Sequence, residues 1–142
     1  MKFATVRVMG KRLYGVVSGQ GFSAVDDLFP DWPTLREVVE ADGFDRLAQE
    51  AEARGETHAL ADITFEPPTP NPGKIICVGV NFPDRNAEYK DGQTQPTKPS
   101  LFIRFPESFT GHDQPLIRPP ESAQLDYEGE IAIVVGTGGR RI

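Results

Sequence analysis

The chain has 142 residues, of which 38% are hydrophobic and 25% are charged, and its formal net charge is −6 at pH 7. This composition is typical of a folded domain, and the acidic balance argues against nucleic acid and anionic membranes as partners. Cys77 is the single cysteine, which excludes an internal disulfide and leads us to expect a reducing compartment, the cytoplasm. No apolar run is long enough to span a membrane, and the first residues alternate like a strand rather than a signal peptide.

The first half of the chain predicts a small sheet followed by two helices. Three segments alternate polar and apolar residues as strands do: residues 2–8, 12–18 and 22–25. Thr34 followed by Glu37 predicts a capped helix start, since each side chain can bond the other residue's backbone N–H. A second helix is predicted from Phe44 to Arg54, and Gly55 would end it. His58 follows in a polar stretch, where we expect it to be exposed.

A proline-rich connector divides the chain. The prolines of residues 67–73 can continue neither a helix nor a central strand. We therefore expect a small N-terminal α/β module over residues 1–66, the connector over residues 67–73, and a second domain over residues 74–142. The predicted fold class is α+β.

Apolar runs return after the connector. Four segments are predicted to be strands or extended edges: residues 74–80, 100–105, 116–120 and 125–135. Cys77 lies within the first of them, so we interpret it as a small core residue rather than a nucleophile. The last segment is β-branched and apolar in its second half, which predicts a strand buried on both faces.

Three carboxylates occupy every second position where this last segment begins: Asp126, Glu128 and Glu130. In a strand they would project from one face, with neighbours about 6.5–7 Å apart. Like charges so placed repel each other unless a cation lies between them, and a divalent cation with oxygen ligands is the usual solution. The alternative is a strand whose acidic end simply emerges into water.

Several motifs in residues 74–142 together resemble the fumarylacetoacetate hydrolase family. They are Ile76-Cys77-Val78-Gly79-Val80-Asn81-Phe82, then Glu88, then Pro99-Ser100-Leu101-Phe102, then Leu125-Asp126-Tyr127-Glu128-Gly129-Glu130-Ile131-Ala132-Ile133-Val134-Val135-Gly136. They occur in the family's order and without large gaps. The module before the connector is similar, more weakly, to the variable leading domain of many bacterial members.

The resemblance implies a mixed β-roll catalytic domain, of which residues 74–142 would form the first part, usually within a homodimer. It also implies a divalent metal, Mg²⁺ or Mn²⁺, with Ca²⁺ equally compatible with oxygen ligands. Two of the family's three metal-binding carboxylates map onto Glu128 and Glu130, and their alternate spacing lets both reach one ion. Gly129 between them would let another backbone segment approach closely. Asp126 belongs to the family pattern without being implied as a ligand.

The activity that the resemblance implies is metal-dependent hydrolysis of a C–C bond in a small anionic 2-oxo or β-diketo acid, such as an acylpyruvate. Such reactions belong to the catabolism of aromatic compounds or sugar acids. Relatives with the same site decarboxylate, hydrate or isomerise their substrates through a similar enolate. The motifs therefore indicate a hydrolase, with a decarboxylase, hydratase or isomerase on the same scaffold as the alternative.

Arg85 departs from the family pattern. Many members have a histidine there, three residues before the glutamate that corresponds to Glu88, and the pair activates a water molecule. Arginine stays protonated and cannot act as a base, so Glu88 would have to act more directly. Arg85 would either clamp a substrate carboxylate or pair with Glu88 on the surface. His112 is a conceivable replacement base. Three further cations could neutralise an anionic substrate or simply face solvent: Lys98, Arg104 and Arg118.

The resemblance also implies a third metal-binding carboxylate, an aspartate some thirty residues after the strand with Glu128 and Glu130, and no residue of this sequence matches it. We therefore expect this sequence to correspond to the first half of a family member, as a partial gene product or a truncated chain. The alternative that is not an enzyme is a non-catalytic fragment that serves only as a structural or association module.

Overall fold

A computed structural model describes residues 1–19, 21–79 and 98–141. These residues form two compact units. One unit combines Met1–Pro70 with residues 110–141, and the other comprises the described residues between Asn71 and Phe109. The break after Pro70 lies inside the expected connector, whose described residues form neither helix nor strand. The domain boundaries expected from the sequence stay predictions.

The first unit is built on one antiparallel sheet. Its strands are β1 (Lys2–Val8), β2 (Lys11–Ser18), β3 (Gly21–Ala24), β4 (His58–Ala59) and β5 (Thr64–Glu66). They lie in the order β4-β3-β2-β1-β5. The three strands predicted from alternation are confirmed as β1, β2 and β3. His58 is half-buried in β4 rather than exposed in a loop, because its strand pairs with Phe22 of β3.

Two helices follow the first three strands, α1 (Leu35–Glu40) and α2 (Phe44–Arg54). The predicted capping box is confirmed at α1. The hydroxyl of Thr34 accepts a bond from Arg36 N at 3.2 Å, and Thr34 N donates to Glu37 Oε2 at 2.8 Å. Gly55 ends α2 with a φ of 75°, a backbone conformation that costs glycine little.

Alternation along the strands divides the core of this unit between the two faces of the sheet. One hydrophobic cluster contains Tyr14 and Val16 of β2 together with Leu35, Val38, Leu47 and Ala51 of the helices, among other residues. Val6 pairs with Leu13, and Val17 pairs with Phe22, so these side chains point to the other face. There they form the second cluster, with Ala4, Val6, Leu13, Phe22 and Ala24. Buried apolar side chains therefore lie on both faces of this small sheet.

Glu66 joins β5 to the first two strands. Its carboxylate accepts bonds from Arg7 Nε at 2.7 Å and from Arg12 Nε at 2.5 Å. Burial acts to raise the pKa of Glu66, but the two guanidinium hydrogen bonds outweigh it and the pKa is lowered. The carboxylate therefore stays ionised and holds the edge strand against β1 and β2.

Asp26 and Asp27 are neighbours whose pKa values shift in opposite directions. Burial raises the pKa of Asp26, and the Lys11 ammonium at 3.8 Å does not offset this effect. The hydrogen bonds from Arg54, at 2.5 Å and 3.0 Å, lower the pKa of Asp27. The ionised form is thus disfavoured by folding at Asp26 and favoured at Asp27.

Asp26→Asn is expected to raise the thermal midpoint by a few degrees at pH 7. A carboxyl whose pKa is raised on folding binds its proton more tightly in the folded state, so its contribution to stability falls as the pH rises through that pKa. The gain should therefore vanish in acid, below the pKa of the unfolded chain. Asp27→Asn is the matched control and should lower the midpoint at pH 7. Melting curves from pH 3 to pH 8 that move both variants in the same direction would contradict the prediction.

The second unit contains one antiparallel pair, β6 (Ile76–Val78) and β7 (Leu101–Ile103). Both were predicted as strands, and both are shorter than predicted. Cys77 is half-buried opposite Phe102, so it does not sit in the closed core that the sequence suggested. The chain is strand-rich with few helices, in agreement with an α+β class, while the β-roll stays a prediction. No helix in the described ranges is long and apolar enough to cross a membrane.

Candidate active site

The segment from Leu125 to Val135 lies in the first unit and has no regular secondary structure. Its apolar side chains are exposed: Tyr127 to 88%, Ile131 to 95% and Ile133 to 86%. The prediction of a strand buried on both faces is therefore wrong for this structure. A strand takes its ladder hydrogen bonds and its burial from neighbouring strands, and no described strand pairs with this segment. The segment 116–120 likewise forms no strand.

Glu128 and Glu130 are both exposed on this segment. Their chemistry fits a hard divalent cation, because carboxylate oxygens are its preferred ligands. Within residues 1–19, 21–79 and 98–141, no three or more His, Cys, Asp or Glu side chains are grouped closely enough to hold a metal ion. The segment thus presents two suitable donors, and within the described residues no further His, Cys, Asp or Glu side chain completes a metal site with them. Asp126, the third carboxylate of the run, accepts a bond from Tyr127 N at 2.8 Å.

Arg85 and Glu88, the two predicted catalytic residues, lie outside the described residues. Their assignment stays a prediction from the sequence.

His112 is described, and it stands beside another titratable group. Its Nε2 lies 3.3 Å from Asp113 Oδ2, and its side chain is 72% exposed. The imidazole ring also forms a T-shaped arrangement with the ring of Phe65 in β5, with 5.7 Å between ring centroids. An exposed neighbour pair of this kind does not by itself make a base, so His112 as a replacement for the usual histidine stays a hypothesis.

The three cations proposed as substrate neutralisers are all exposed: Lys98, Arg104 and Arg118. The guanidinium of Arg104 lies over the ring of Phe102, 4.7 Å from its centroid. Because all three side chains are exposed, the structure favours the alternative that they are solvated surface charges.

Gly111 makes a contact that nothing in the sequence indicated. A Cβ at this position would overlap the carbonyl oxygen of Phe65, so the backbones of the loop and of β5 touch. The connector and the second unit separate Phe65 from Gly111 in sequence. No local pattern therefore predicts their contact. The loop glycine becomes informative only when its neighbour is known.

Comparison with known sequences is consistent with these motifs. Residues 74–142 match the sequence model described as fumarylacetoacetate (FAA) hydrolase C-terminal. Residues 74–142 therefore belong to the fumarylacetoacetate hydrolase family. The resemblance inferred from the motifs is therefore confirmed. Enzymes of this family generally use a divalent metal.

Several curated relatives are named as oxaloacetate tautomerases. YisK of Bacillus subtilis is 38% identical over 88 residues, which is 60% of this chain and 29% of that protein. The mitochondrial Fahd2a of Rattus norvegicus is 38% identical over 82 residues, or 58% of this chain and 26% of that protein. FAHD2A of Homo sapiens is 34% identical over 82 residues, which is 58% of this chain and 26% of that protein. The chain thus matches less than a third of the length of these relatives.

A crystal structure of an HpcE-like protein from Mycobacterium smegmatis resembles the chain at the level of the fold. The TM-score is 0.59 at 23% identity, and the match covers 82% of this chain and 40% of the other. Because the match reaches beyond residues 74–142, it includes part of the N-terminal module as well.

Proposed function

We propose that the natural gene product carrying this sequence is a metal-dependent enzyme that interconverts the keto and enol forms of oxaloacetate or a closely related 2-oxo acid. The observation that supports this proposal is the identity of 34–38% to relatives named as oxaloacetate tautomerases. Membership of residues 74–142 in the fumarylacetoacetate hydrolase family supports the reaction class, which is metal-dependent chemistry on a 2-oxo acid. The substrate would be a small dianion, the enzyme a homodimer, and its compartment the cytoplasm.

Tautomerisation needs few groups. The C3–H bond of the keto form breaks, a proton is delivered to the 2-oxo oxygen, and the C2–C3 double bond forms, so that no atom is gained or lost. Glu88 is proposed to accept and return the proton, because a carboxylate in reach of the substrate can act as a general base. Glu128 and Glu130 are proposed to hold the divalent cation. When bound, the cation stabilises negative charge that develops on the substrate oxygen.

Arg85 favours tautomerisation over hydrolysis. Hydrolysis of a C–C bond needs an activated water molecule, and arginine cannot replace the histidine that other members use for this purpose. Tautomerisation consumes no water and can proceed with Glu88 alone. The guanidinium is then free to bind a substrate carboxylate through paired N–H groups.

The second candidate function is hydrolysis of a C–C bond in an acylpyruvate, which the family resemblance implies. The family's description as a hydrolase favours it. The two functions differ in their products, since hydrolysis yields two acids from one and tautomerisation leaves the carbon skeleton intact.

The test is a direct assay of the natural gene product with oxaloacetate and with an acylpyruvate, in the presence of Mg²⁺, Mn²⁺ or Ca²⁺. We expect metal-stimulated decay of the ultraviolet absorbance of enol-oxaloacetate, without release of pyruvate and without cleavage of the acylpyruvate. Arg85→Ala should raise the KM for oxaloacetate by about tenfold or more, because a charge-assisted carboxylate contact contributes roughly 1.5–3 kcal/mol. Cleavage of the acylpyruvate with no effect on enol decay would establish the hydrolase instead.

A further inference from the structure

Apolar residues occupy alternate positions along the segment from Leu125 to Val135, and all of them are exposed. They are Leu125, Tyr127, Ile131, Ile133 and Val135. In an extended chain these side chains share one face. Within residues 1–19, 21–79 and 98–141, no backbone hydrogen bond joins residues 128–135 to another residue. The segment therefore has an apolar face and unpaired backbone groups, and a neighbouring strand would satisfy both.

Charge is distributed unevenly along this segment and the residues that follow it. Three carboxylates precede the apolar run, residues 131–139 carry no charge, and two guanidinium groups follow. The charged residues are Asp126, Glu128 and Glu130, then Arg140 and Arg141. Both arginines are exposed, and neither forms an ion pair with another residue of the described part of the chain. The order acidic, apolar, basic is complementary to the same order running in the opposite direction.

This order distinguishes the two directions in which a second copy could pair with the segment. Parallel pairing in register would place each carboxylate opposite its own counterpart, and like charges directly opposite each other are destabilising. Antiparallel pairing centred on Ile133 places Ile131 opposite Val135 and Asp126 opposite Arg140. Residues that lie opposite each other project from the same face, so both pairs can form contacts. The charges therefore favour the antiparallel direction.

We propose that residues 125–141 are an interaction surface for a second copy of this chain, which pairs with them as an antiparallel strand about a twofold axis at Ile133. Addition of a strand to unpaired backbone groups is a common mode of recognition. The interface is isologous, since the acidic end of each copy meets the basic end of the other. Glu128 and Glu130 lie opposite Gly138 and Gly136 in this register, so no like charge opposes them. The interface does not rest on the proposed reaction.

Analytical ultracentrifugation of the 142-residue chain over a range of concentrations measures this association. We expect a reversible equilibrium between monomer and dimer. Ile133→Lys should weaken dimerisation by at least about tenfold, because it removes an apolar side chain from each copy and places two ammonium groups opposite each other. Ile117→Lys is the matched control. It adds the same charge to a side chain that is 92% exposed outside the interface, and it should leave the equilibrium unchanged.

Charge reversal tests the direction of pairing. Asp126→Arg and Arg140→Asp should each weaken self-association by about three- to tenfold, since each places like charges opposite each other at two symmetric positions. The two substitutions change the net charge in opposite directions, so overall repulsion cannot explain a loss in both. An equal mixture of the two variants has complementary charges at both positions and should dimerise like the wild type.

Cross-linking tests the register. In a Cys77→Ser background, which removes the single native cysteine, Ile133→Cys should form an interchain disulfide under mild oxidation because the residue faces its own copy. Leu125→Cys should form none, because the two copies of this residue lie at opposite ends of the paired strands. The fluorescence of Trp32, the single tryptophan, shows that each variant keeps its N-terminal module folded.

Several results would overturn the interface. They are a chain that stays monomeric at every soluble concentration, a dimer that Ile133→Lys leaves intact, and charge reversals that have no effect. Equal cross-linking at residues 125 and 133 would show parallel pairing and overturn the proposed direction. Growth into particles larger than a dimer would show open-ended strand addition instead of a closed twofold pair. None of these measurements depends on activity, so failure to act on oxaloacetate would refute the proposed function alone.

Discussion

Glu130→Gln is expected to reduce the proposed metal-dependent activity by at least about 100-fold. The substitution keeps the size of the side chain but removes its negative charge, which a hard divalent cation requires of its ligands. Changes to groups that merely orient ligands already cost about 10–100-fold in metal affinity or activity. Loss of a direct ligand should therefore reach or exceed the upper end of that range, and Glu128→Gln should behave alike.

The measurement is the rate of enol-oxaloacetate decay at several Mg²⁺ and Mn²⁺ concentrations. Glu121→Gln applies the same chemical change to an exposed glutamate that precedes this segment, and it should leave the rate unchanged. Asp126→Asn distinguishes two interpretations of the acidic run. Alternation in a strand makes Asp126 equivalent to the two glutamates, whereas the family resemblance does not make it a ligand. A loss at Asp126 with none at Glu130 would show that the ligands have been assigned to the wrong residues.

Phe22→Ala is expected to destabilise the N-terminal module by about 3–5 kcal/mol. Phe22 is fully buried in the second core cluster, and its strand pairs with β2 on one side and β4 on the other. Removing the ring leaves a cavity between Val6, Leu13 and Ala24, whose backbones are held in the sheet and cannot collapse to fill it. A unit of this size has a total stability of only about 4–10 kcal/mol, so much of it would be lost.

Denaturant unfolding followed by Trp32 fluorescence tests this prediction, because the single tryptophan stacks on Phe29 within the same unit at 4.9 Å between ring centroids. Phe105→Ala is the matched control. It removes the same ring from a side chain that is 64% exposed in the other unit, and the Trp32 transition should stay within about 0.5 kcal/mol of the wild type. Equal effects of the two substitutions would mean that Phe22 is not a core residue.

Predictions from the sequence succeeded where the determining interactions are local. The strands β1, β2 and β3 follow from alternation, since each lies next to its partner along the chain. The start of α1 follows from Thr34 and Glu37, which satisfy each other's backbone N–H groups within one turn. The family follows from motifs that depend on residue identity and order, so it could be inferred without a structure.

Predictions failed where a segment depends on a distant partner. Residues 125–135 have the composition of a buried strand, yet the described chain places no strand beside them, and their apolar side chains remain in water. The polar context of His58 predicts an exposed residue, whereas its strand pairs with Phe22, which lies far from it in sequence. The composition of a segment indicates which secondary structure it can form, and its neighbours in the tertiary structure determine whether it forms it.

By itself, then, the sequence determined the family of residues 74–142, the first sheet strands and the capped helix. Glu128 and Glu130 as metal ligands stay a prediction from the sequence. Only the tertiary structure decided that Glu66 bridges Arg7 and Arg12 and that Gly111 rests on Phe65. The physical reason is the range of the interaction. Caps and neighbouring strand pairs close over a few residues, whereas these contacts form only after the chain has folded back on itself and leave no periodic trace in the sequence.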